Sequence, residues 1–266
     1  CMGIANPAPI LGILLVYVDD FMLLAPDGLV RDGLLSYLNS IWTLAKEQTL
    51  DRTTYLTFLG IDIYLQANGD LKLTQERFTR NILKAHGRDG MSSNKTVTML
   101  PPPDVPDVPS VKDLRLLQKY SGEFNWLATR TRPDISYYTS LLASSCSKYN
   151  QWSLDLAKKI HRYLVGTSDT GIVISCNGSE SDLKVYTDAG FSGISKTHSQ
   201  TGIVITLGDS IIVWHSSKQS VIATSTCEAE LYAASLGWQV AEGLRHLLAD
   251  MSIDVGTIDV LIDNQA

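Results

Sequence analysis

The chain has 266 residues, 44% of them hydrophobic and 19% charged, with a formal net charge of −6. That length fits one large or two ordinary domains with real cores, and the composition excludes disorder over most of the chain. The longest apolar run, Ile10 to Val18, is too short to span a membrane, and no basic segment precedes it as a signal peptide would require.

The four cysteines (Cys1, Cys146, Cys176, Cys227) are widely spaced without a CxxC pair, which argues against a disulfide framework or a zinc site and for a reducing compartment. The acidic balance argues at first sight against a nucleic-acid partner, but the charge is unevenly placed. Residues 1–179 carry a net +1 and residues 180–266 a net −7. The chain opens on Cys1 and stops just after a strand-like run, which reads as a piece of a longer polypeptide.

Taken in chain order, Ile13–Val18 and Phe21–Ala25 flank Asp19-Asp20 and predict a hairpin of buried strands. Thr57–Leu65 and Leu71–Leu73 predict a second strand pair around the turn Asn68-Gly69. Residues 74–86 carry a Thr cap, an early Glu and a late Lys and His before Gly87, the terminal signals of a helix. Five of the nine prolines fall within 99–110, an extended connector. Helices are expected over Val111–Thr129, from Pro133, and over Ser153–Val165 closed by Gly166. From 171 the pattern turns to strands: 171–176, the turn Asn177-Gly178, then 183–188, 202–207 and 211–215. A long helix over 226–251 and a strand over 258–263 follow. The final block is therefore expected to be a mixed β-β-β-α-β unit of an α/β (α+β) chain.

Carboxylates carry the candidate chemistry. Asp19-Asp20 at a hairpin tip fits a divalent-cation site, since hard cations take oxygen ligands, and equally fits a solvated turn. On the long helix, Ser225-x-x-Glu228 has capping-box spacing. At 100° per residue Glu230 projects into the apolar stripe of Ala234, Trp238, Ala241 and Leu244, whereas Glu228 projects almost opposite. Glu230 therefore needs a partner, either a metal ion or a basic side chain such as Arg245 or Lys218. Asp188 and Asp263 end separate strands and could join Glu230 around two cations, although each also fits a solvated position, as Asp259 does. Cys227 at the helix start reads better as a small packed residue than as a nucleophile. No histidine pair has metal-ligand spacing, and His86 and His246 read as surface residues.

Several of these segments resemble one family. Tyr17-Val18-Asp19-Asp20 resembles the YxDD box of reverse transcriptases. Phe58-Leu59-Gly60 resembles a primer-grip segment of copia-type retrotransposon polymerases, and Leu73-Thr74-Gln75 the thumb start. Thr131-Arg132-Pro133-Asp134-Ile135 and Tyr163-Leu164-Val165-Gly166-Thr167 resemble its TRPD-I and YL-GT segments. Tyr186-Thr187-Asp188-Ala189, Trp214 to Ser220, Ser225 to Glu230 and Asp263-Asn264-Gln265 resemble its ribonuclease H part.

The resemblance implies a partial reverse-transcriptase palm and thumb over 1–98, a Pro-rich linker over 99–110 and a helical connection over 111–170. An incomplete ribonuclease H-like domain would occupy 171–266. It implies Asp19 and Asp20 as polymerase metal ligands, and Asp188, Glu230 and Asp263 as ribonuclease H metal ligands. Mg²⁺, or Mn²⁺ in its place, would be the cofactor. The implied partners are primer-template nucleic acid, RNA–DNA hybrid and the remainder of the Pol polyprotein, with no membrane, in a cytoplasmic virus-like particle or the nucleus. Lys112, Lys119, Arg130, Arg132, Lys158, Lys159 and Arg162 are the candidate phosphate contacts.

The family's polymerases also need an earlier palm Asp and fingers, and its ribonuclease H a fourth acidic residue and a histidine beyond Ala266. This chain is accordingly expected not to polymerise DNA. The competing reading is a decayed or domesticated product that only binds nucleic acid or a partner. A glycosidase fits poorly, because Asp19 and Asp20 are sequence neighbours rather than two groups across a cleft.

Overall fold

The computed structural model describes residues 10–176, 182–191 and 198–263. Asn177-Gly178 and Asn264-Gln265 lie outside them. The chain is a mixed α/β protein whose described residues form three small sheets and six helices.

The first strands, β1 (Ile13–Tyr17) and β2 (Asp20–Leu24), pair antiparallel with Tyr17 opposite Asp20. Only Val18 and Asp19 remain for the turn. A two-residue hairpin of this kind needs a positive φ at its first central position, and Val18 adopts φ 53° despite its branched side chain. The expected hairpin is present, but its strands are not buried: Leu15, Val16 and Tyr17 are exposed. Helix α1 (Leu29–Ile41) follows, an element the sequence pattern hid behind Pro26-Asp27-Gly28 and an internal Gly33. It buries only Leu38.

Thr57–Leu65 is not one strand. Leu59 and Gly60 both take positive φ (51° and 74°), so the segment folds back on itself as β3 (Tyr55–Phe58) and β4 (Ile61–Leu65). Next, β5 (Leu71–Thr74) pairs with β4 and leads into α2 (Glu76–Ala85). The fourth strand of this sheet comes from far along the chain. Strand β6 (Gly171–Ile174) pairs with β5, placing Gly171 opposite Thr74. A Cβ at Gly171 would lie 2.0 Å from the Leu73 carbonyl oxygen, so only glycine allows this approach. The strand grouped by sequence with the final block therefore belongs to the earlier sheet. Two contacts then tie its exit: Ser175 N–H donates to Ser210 Oγ at 2.8 Å and Cys176 N–H to Asp70 Oδ1 at 3.3 Å.

The helical layer comprises α3 (Val111–Ala128), a 3₁₀ turn (Pro133–Ile135), α4 (Ser136–Ser145) and α5 (Asn150–Gly166). Leu117, Phe124, Leu127, Leu142, Leu156 and Ile160 form its solvent-free core. The proline-rich connector is pinned along α5. Trp152 Nε1 donates to Leu100 O, Lys159 Nζ donates to Thr98 O, and the Asp107 carboxylate accepts the first N–H groups of α5, from Asn150 and Gln151.

The second four-stranded sheet runs in the order β10-β7-β8-β9, from β7 (Leu183–Gly190), β8 (Gln200–Leu207), β9 (Ser210–Lys218) and β10 (Ile258–Ile262). Its first three strands in the chain are antiparallel, while β10 lies parallel to β7. The long helix α6 (Thr226–Asp250) supplies the crossover, giving the expected β-β-β-α-β order. Alternate residues of β7 face α6, and Leu183, Val185, Ile203, Ile205, Ala241 and Leu248 fill the interface.

A three-carboxylate candidate metal centre

The parallel pairing of β10 with β7 sets Ile262 beside Thr187. The next residues, Asp263 and Asp188, therefore emerge together at one sheet end. Helix α6 reaches that end because its contact there uses only small side chains: Ala189, Ala223, Ala229 and Ala233 form a buried cluster. Further along, Gly237 lets the helix lie against Val185 and Thr187. The close approach carries Glu230 to the same point. One carboxylate oxygen each from Asp188, Glu230 and Asp263 lies within 4.8 Å of the others. Among the described residues this is the one group of three His, Cys, Asp or Glu side chains so arranged.

Electrostatics set Glu230 apart. Burial pushes its carboxyl above the ordinary range, the Ala189 N–H acts against that, and the Asp188 and Asp263 charges add to the rise. Its Oε2 is buried with no hydrogen-bond partner. Lys218 and Arg245, the basic alternatives, do not compensate it: Arg245 pairs with Glu242 at 2.7 Å, and Lys218 is an exposed residue of β9. Glu228, two residues earlier, has the opposite character. It is exposed, and hydrogen bonds from the Thr224 hydroxyl and N–H hold its carboxyl below the usual range. Ser225 Oγ accepts the Glu228 N–H at 3.1 Å, so this is a helix cap, with Glu228 reaching one residue further back than capping-box spacing implies.

Three carboxylate oxygens gathered within 4.8 Å of one another suit a hard divalent ion. Ligands on one magnesium are separated by up to about 4.2 Å, twice its bond length, so small rotamer changes suffice. Gln219, in the Trp214–Ser220 run, is a supporting residue with no role assigned from sequence. Buried, it donates from Nε2 to Thr201 Oγ1 and to Ala229 O, both at 3.0 Å, clamping the start of α6 to β8. On the sheet face away from α6 a cleft of about 580 Å³ opens beside Asp188, walled by Tyr137 of α4 and by Tyr186 and Trp214. Trp214 Nε1 donates to Ala128 O, which joins this wall to the helical layer.

The remaining candidates separate. Asp19 and Asp20 sit exposed at the β1–β2 tip and belong to no three-ligand group among the described residues. Cys227 is exposed, not packed. His246 is exposed as expected, but His86 is not: its side chain is 7% exposed, its Nε2 meets Glu123 Oε2 at 2.7 Å, and its ring packs edge-on against Tyr120. The C-cap position of α2 turns it into the α3–α5 interface instead of toward water. Arg132, a proposed phosphate contact, is 1% exposed, with its donors spent on Asp134 and Thr167. Arg162 donates to Ser92 and Lys159 to Thr98 O, both in the segment leading into the connector.

No helix among the described residues is long and apolar enough to cross a membrane. No family model matches the chain. It is 30% identical over 227 residues to a transposon Ty5-1 protein of Saccharomyces cerevisiae, covering 83% of this chain and 70% of that protein. It is 30% identical over 245 residues to the retrovirus-related Pol polyprotein from transposon RE1 of Arabidopsis thaliana. It is 29% identical over 267 residues to the corresponding polyprotein from transposon TNT 1-94 of Nicotiana tabacum. These last two alignments cover 90% and 96% of this chain but only 16% and 19% of the polyproteins. The chain, which aligns along most of its length with a region within Pol, belongs to the copia-type retrotransposon Pol family.

Proposed function

We propose that the chain is the part of Pol running from a partial reverse-transcriptase palm and thumb, through the helical connection, into a ribonuclease H-like domain. We propose further that its centre at Asp188, Glu230 and Asp263 cleaves the RNA strand of an RNA–DNA hybrid. The observation that carries this reading is the convergence of the three carboxylates, one of which, Glu230, has a buried oxygen without a hydrogen-bond partner. Such a cluster stores repulsion that a cation relieves, and Mg²⁺ or Mn²⁺ is the cation its oxygen donors suit.

Asp188 and Asp263, on adjacent strands of one sheet, form a rigid pair of ligands. Glu230 approaches from the helix and closes the set. A divalent ion bound there supplies positive charge at the scissile phosphate and an acidified water. The alanine contact and the Gln219 clamp fix the α6-to-β7 distance, and so the geometry in which a phosphate would be received. Asp19 and Asp20 are proposed as polymerase ligands on the resemblance of Tyr17-Val18-Asp19-Asp20.

Magnesium-dependent cleavage of RNA in a hybrid, lost in Asp188→Asn, tests the ribonuclease reading. Cleavage that survives Asp188→Asn would overturn it. The Asp19-Asp20 tip, exposed and in no three-ligand group among the described residues, favours a second reading for the polymerase half: a product that binds nucleic acid or a partner without turnover. Template-dependent dNTP incorporation by the 266-residue chain would exclude it.

A further inference from the structure

We infer that Gln219 is a positioning residue that holds Glu230 in its ligating place before any cation arrives, so that the carboxylate centre is preorganised rather than assembled by the ion. The inference rests on the proposed metal centre and assigns it a residue outside the carboxylate set. Two of the three carboxylates need no such help. Asp188 and Asp263 follow strand residues locked by the parallel register of β7 and β10, whereas Glu230 arrives on a separate element. Its place depends on what fixes the first turns of α6.

Gln219 stands just past the end of β9 and is 3% exposed. Its own backbone is anchored at both polar groups: the N–H donates to Ser199 O at 2.8 Å, and the carbonyl accepts from His198 Nδ1 at 3.0 Å. From that fixed base the side-chain amide reaches two elements. Nε2 donates to Thr201 Oγ1 on β8 and to Ala229 O on α6, each at 3.0 Å. Ala229 O belongs to the peptide group that joins Ala229 to Glu230, so the second bond grips the backbone at the ligand itself. A carbonyl oxygen has two lone pairs, which lets it accept this bond and the helical one together. The far side closes the ring. Thr201 lies opposite Ala189 in the β7–β8 pairing, and the Ala189 N–H donates to the Glu230 carboxylate.

The second observation is a cost. Gln219 Oε1 is buried without a hydrogen-bond partner among the described residues. Turning the amide over would not cure this, because Ala229 O can only accept and would then face Oε1. An apolar side chain of similar size would strand no oxygen there. A glutamine that keeps an unsatisfied buried atom is explained by what its nitrogen does, and the nitrogen holds the peptide of Glu230. Local rules are broken in this way at functional sites.

The test is calorimetric Mg²⁺ binding to the full chain, joined to amide hydrogen exchange at residues 230–233 in metal-free buffer. Gln219→Leu should lower Mg²⁺ affinity by about 10- to 100-fold, as losing a contact that orients a ligand does. It should also speed metal-free exchange at 230–233, and saturating Mg²⁺ should slow that exchange again. Thr201→Val cuts only the arm to β8 and should shift both readouts the same way by less. Ile205→Val, in the same core between sheet and helix, should lower the melting temperature while keeping wild-type Mg²⁺ affinity. Wild-type affinity in both Gln219→Leu and Thr201→Val overturns the inference, as does an affinity loss that Ile205→Val reproduces at an equal drop in melting temperature. Those results leave the carboxylate reading intact. That reading fails, and takes the inference with it, if the wild-type chain binds no Mg²⁺ or if Asp188→Asn binds it equally well.

Discussion

Arg132 and Thr167 lie 35 positions apart, yet the Arg132 guanidinium donates to both the carbonyl and the hydroxyl of Thr167 at 2.7 Å. The same guanidinium grips Asp134, and Asp134 accepts from the Tyr163 hydroxyl at 2.8 Å. The TRPD-like and YL-GT-like segments are therefore two halves of one buried network closing the turn after α3 onto the end of α5. Burial pushes the Asp134 carboxyl upward, but Arg132 and Tyr163 outweigh it and hold the group below the ordinary carboxylate range. Removing one partner of such a network leaves the others buried and unpaired. Arg132→Ala should cost about 3–5 kcal/mol in urea unfolding. Arg132→Lys, which keeps charge but loses the fork, should be intermediate. A loss below about 1 kcal/mol for the alanine variant would refute the network's structural weight.

Gly237 offers a test in which two principles predict opposite signs. Helix propensity alone makes Gly237→Ala a gain of about 1 kcal/mol. In the structure, however, a Cβ there would lie 2.7 Å from Thr187 Cγ2 and 2.9 Å from Val185 Cγ1, both on stiff branched side chains. The expected outcome is destabilisation by about 1–3 kcal/mol, because α6 must move off the sheet. The displacement also carries Glu230 away from Asp188, so magnesium affinity measured by calorimetry should fall with stability. A more stable variant with unchanged affinity would show that the contact has slack.

Much of this was legible in the sequence where the signal is local. Residue types and caps mark α2, α3, α5 and α6, and the 100° rotation per residue separates Glu230 from Glu228. What the pattern could not supply was long-range pairing. That β6 adds to β5 depends on a glycine meeting a carbonyl about 100 residues away, and that Asp263 stands beside Asp188 depends on β10 lying parallel to β7. Arg132 and His86 misled for a common reason: polar side chains are ordinarily exposed, and only their partners, Thr167 and Glu123, reveal that they are inside.

The paired glutamates predict opposite behaviour. In magnesium-free buffer at neutral pH, Glu230→Gln should raise the melting temperature, because it removes a desolvated charge facing Asp188 and Asp263. The variant should lose the stabilisation that magnesium confers on the wild type, about 2.7 kcal/mol at one hundred times the dissociation constant. Glu228→Gln should lower the melting temperature by weakening the helix start, and should keep the full magnesium response. Scanning calorimetry of both variants with and without magnesium decides the matter. An equal magnesium response in the two would contradict the division of roles.

His161 should govern part of the acid lability. It is buried among Tyr120, Phe124 and His86, with Nδ1 bonded to Ala157 O and Nε2 unpartnered. Burial lowers its pKa to about 4, the Ala157 carbonyl acts against that, and the nearby His86 and Arg88 charges contribute to the lowering. The unfolded chain would protonate the same imidazole near its ordinary value of about 6.5. A depressed folded value means the unfolded state binds the extra proton first. The stabilisation is therefore complete above pH 6.5 and is lost as pH falls from 6.5 through 4. The difference between those values corresponds to about 3 kcal/mol. His161→Leu removes the proton site while keeping an apolar filler, and carboxylates titrating in the same window contribute to both proteins alike. Subtracting the two stability-versus-pH curves should leave a step of that size, with the leucine variant relatively more stable at the acid end. A flat difference curve would mean that His161 gains its proton in the folded protein as easily as in the unfolded chain.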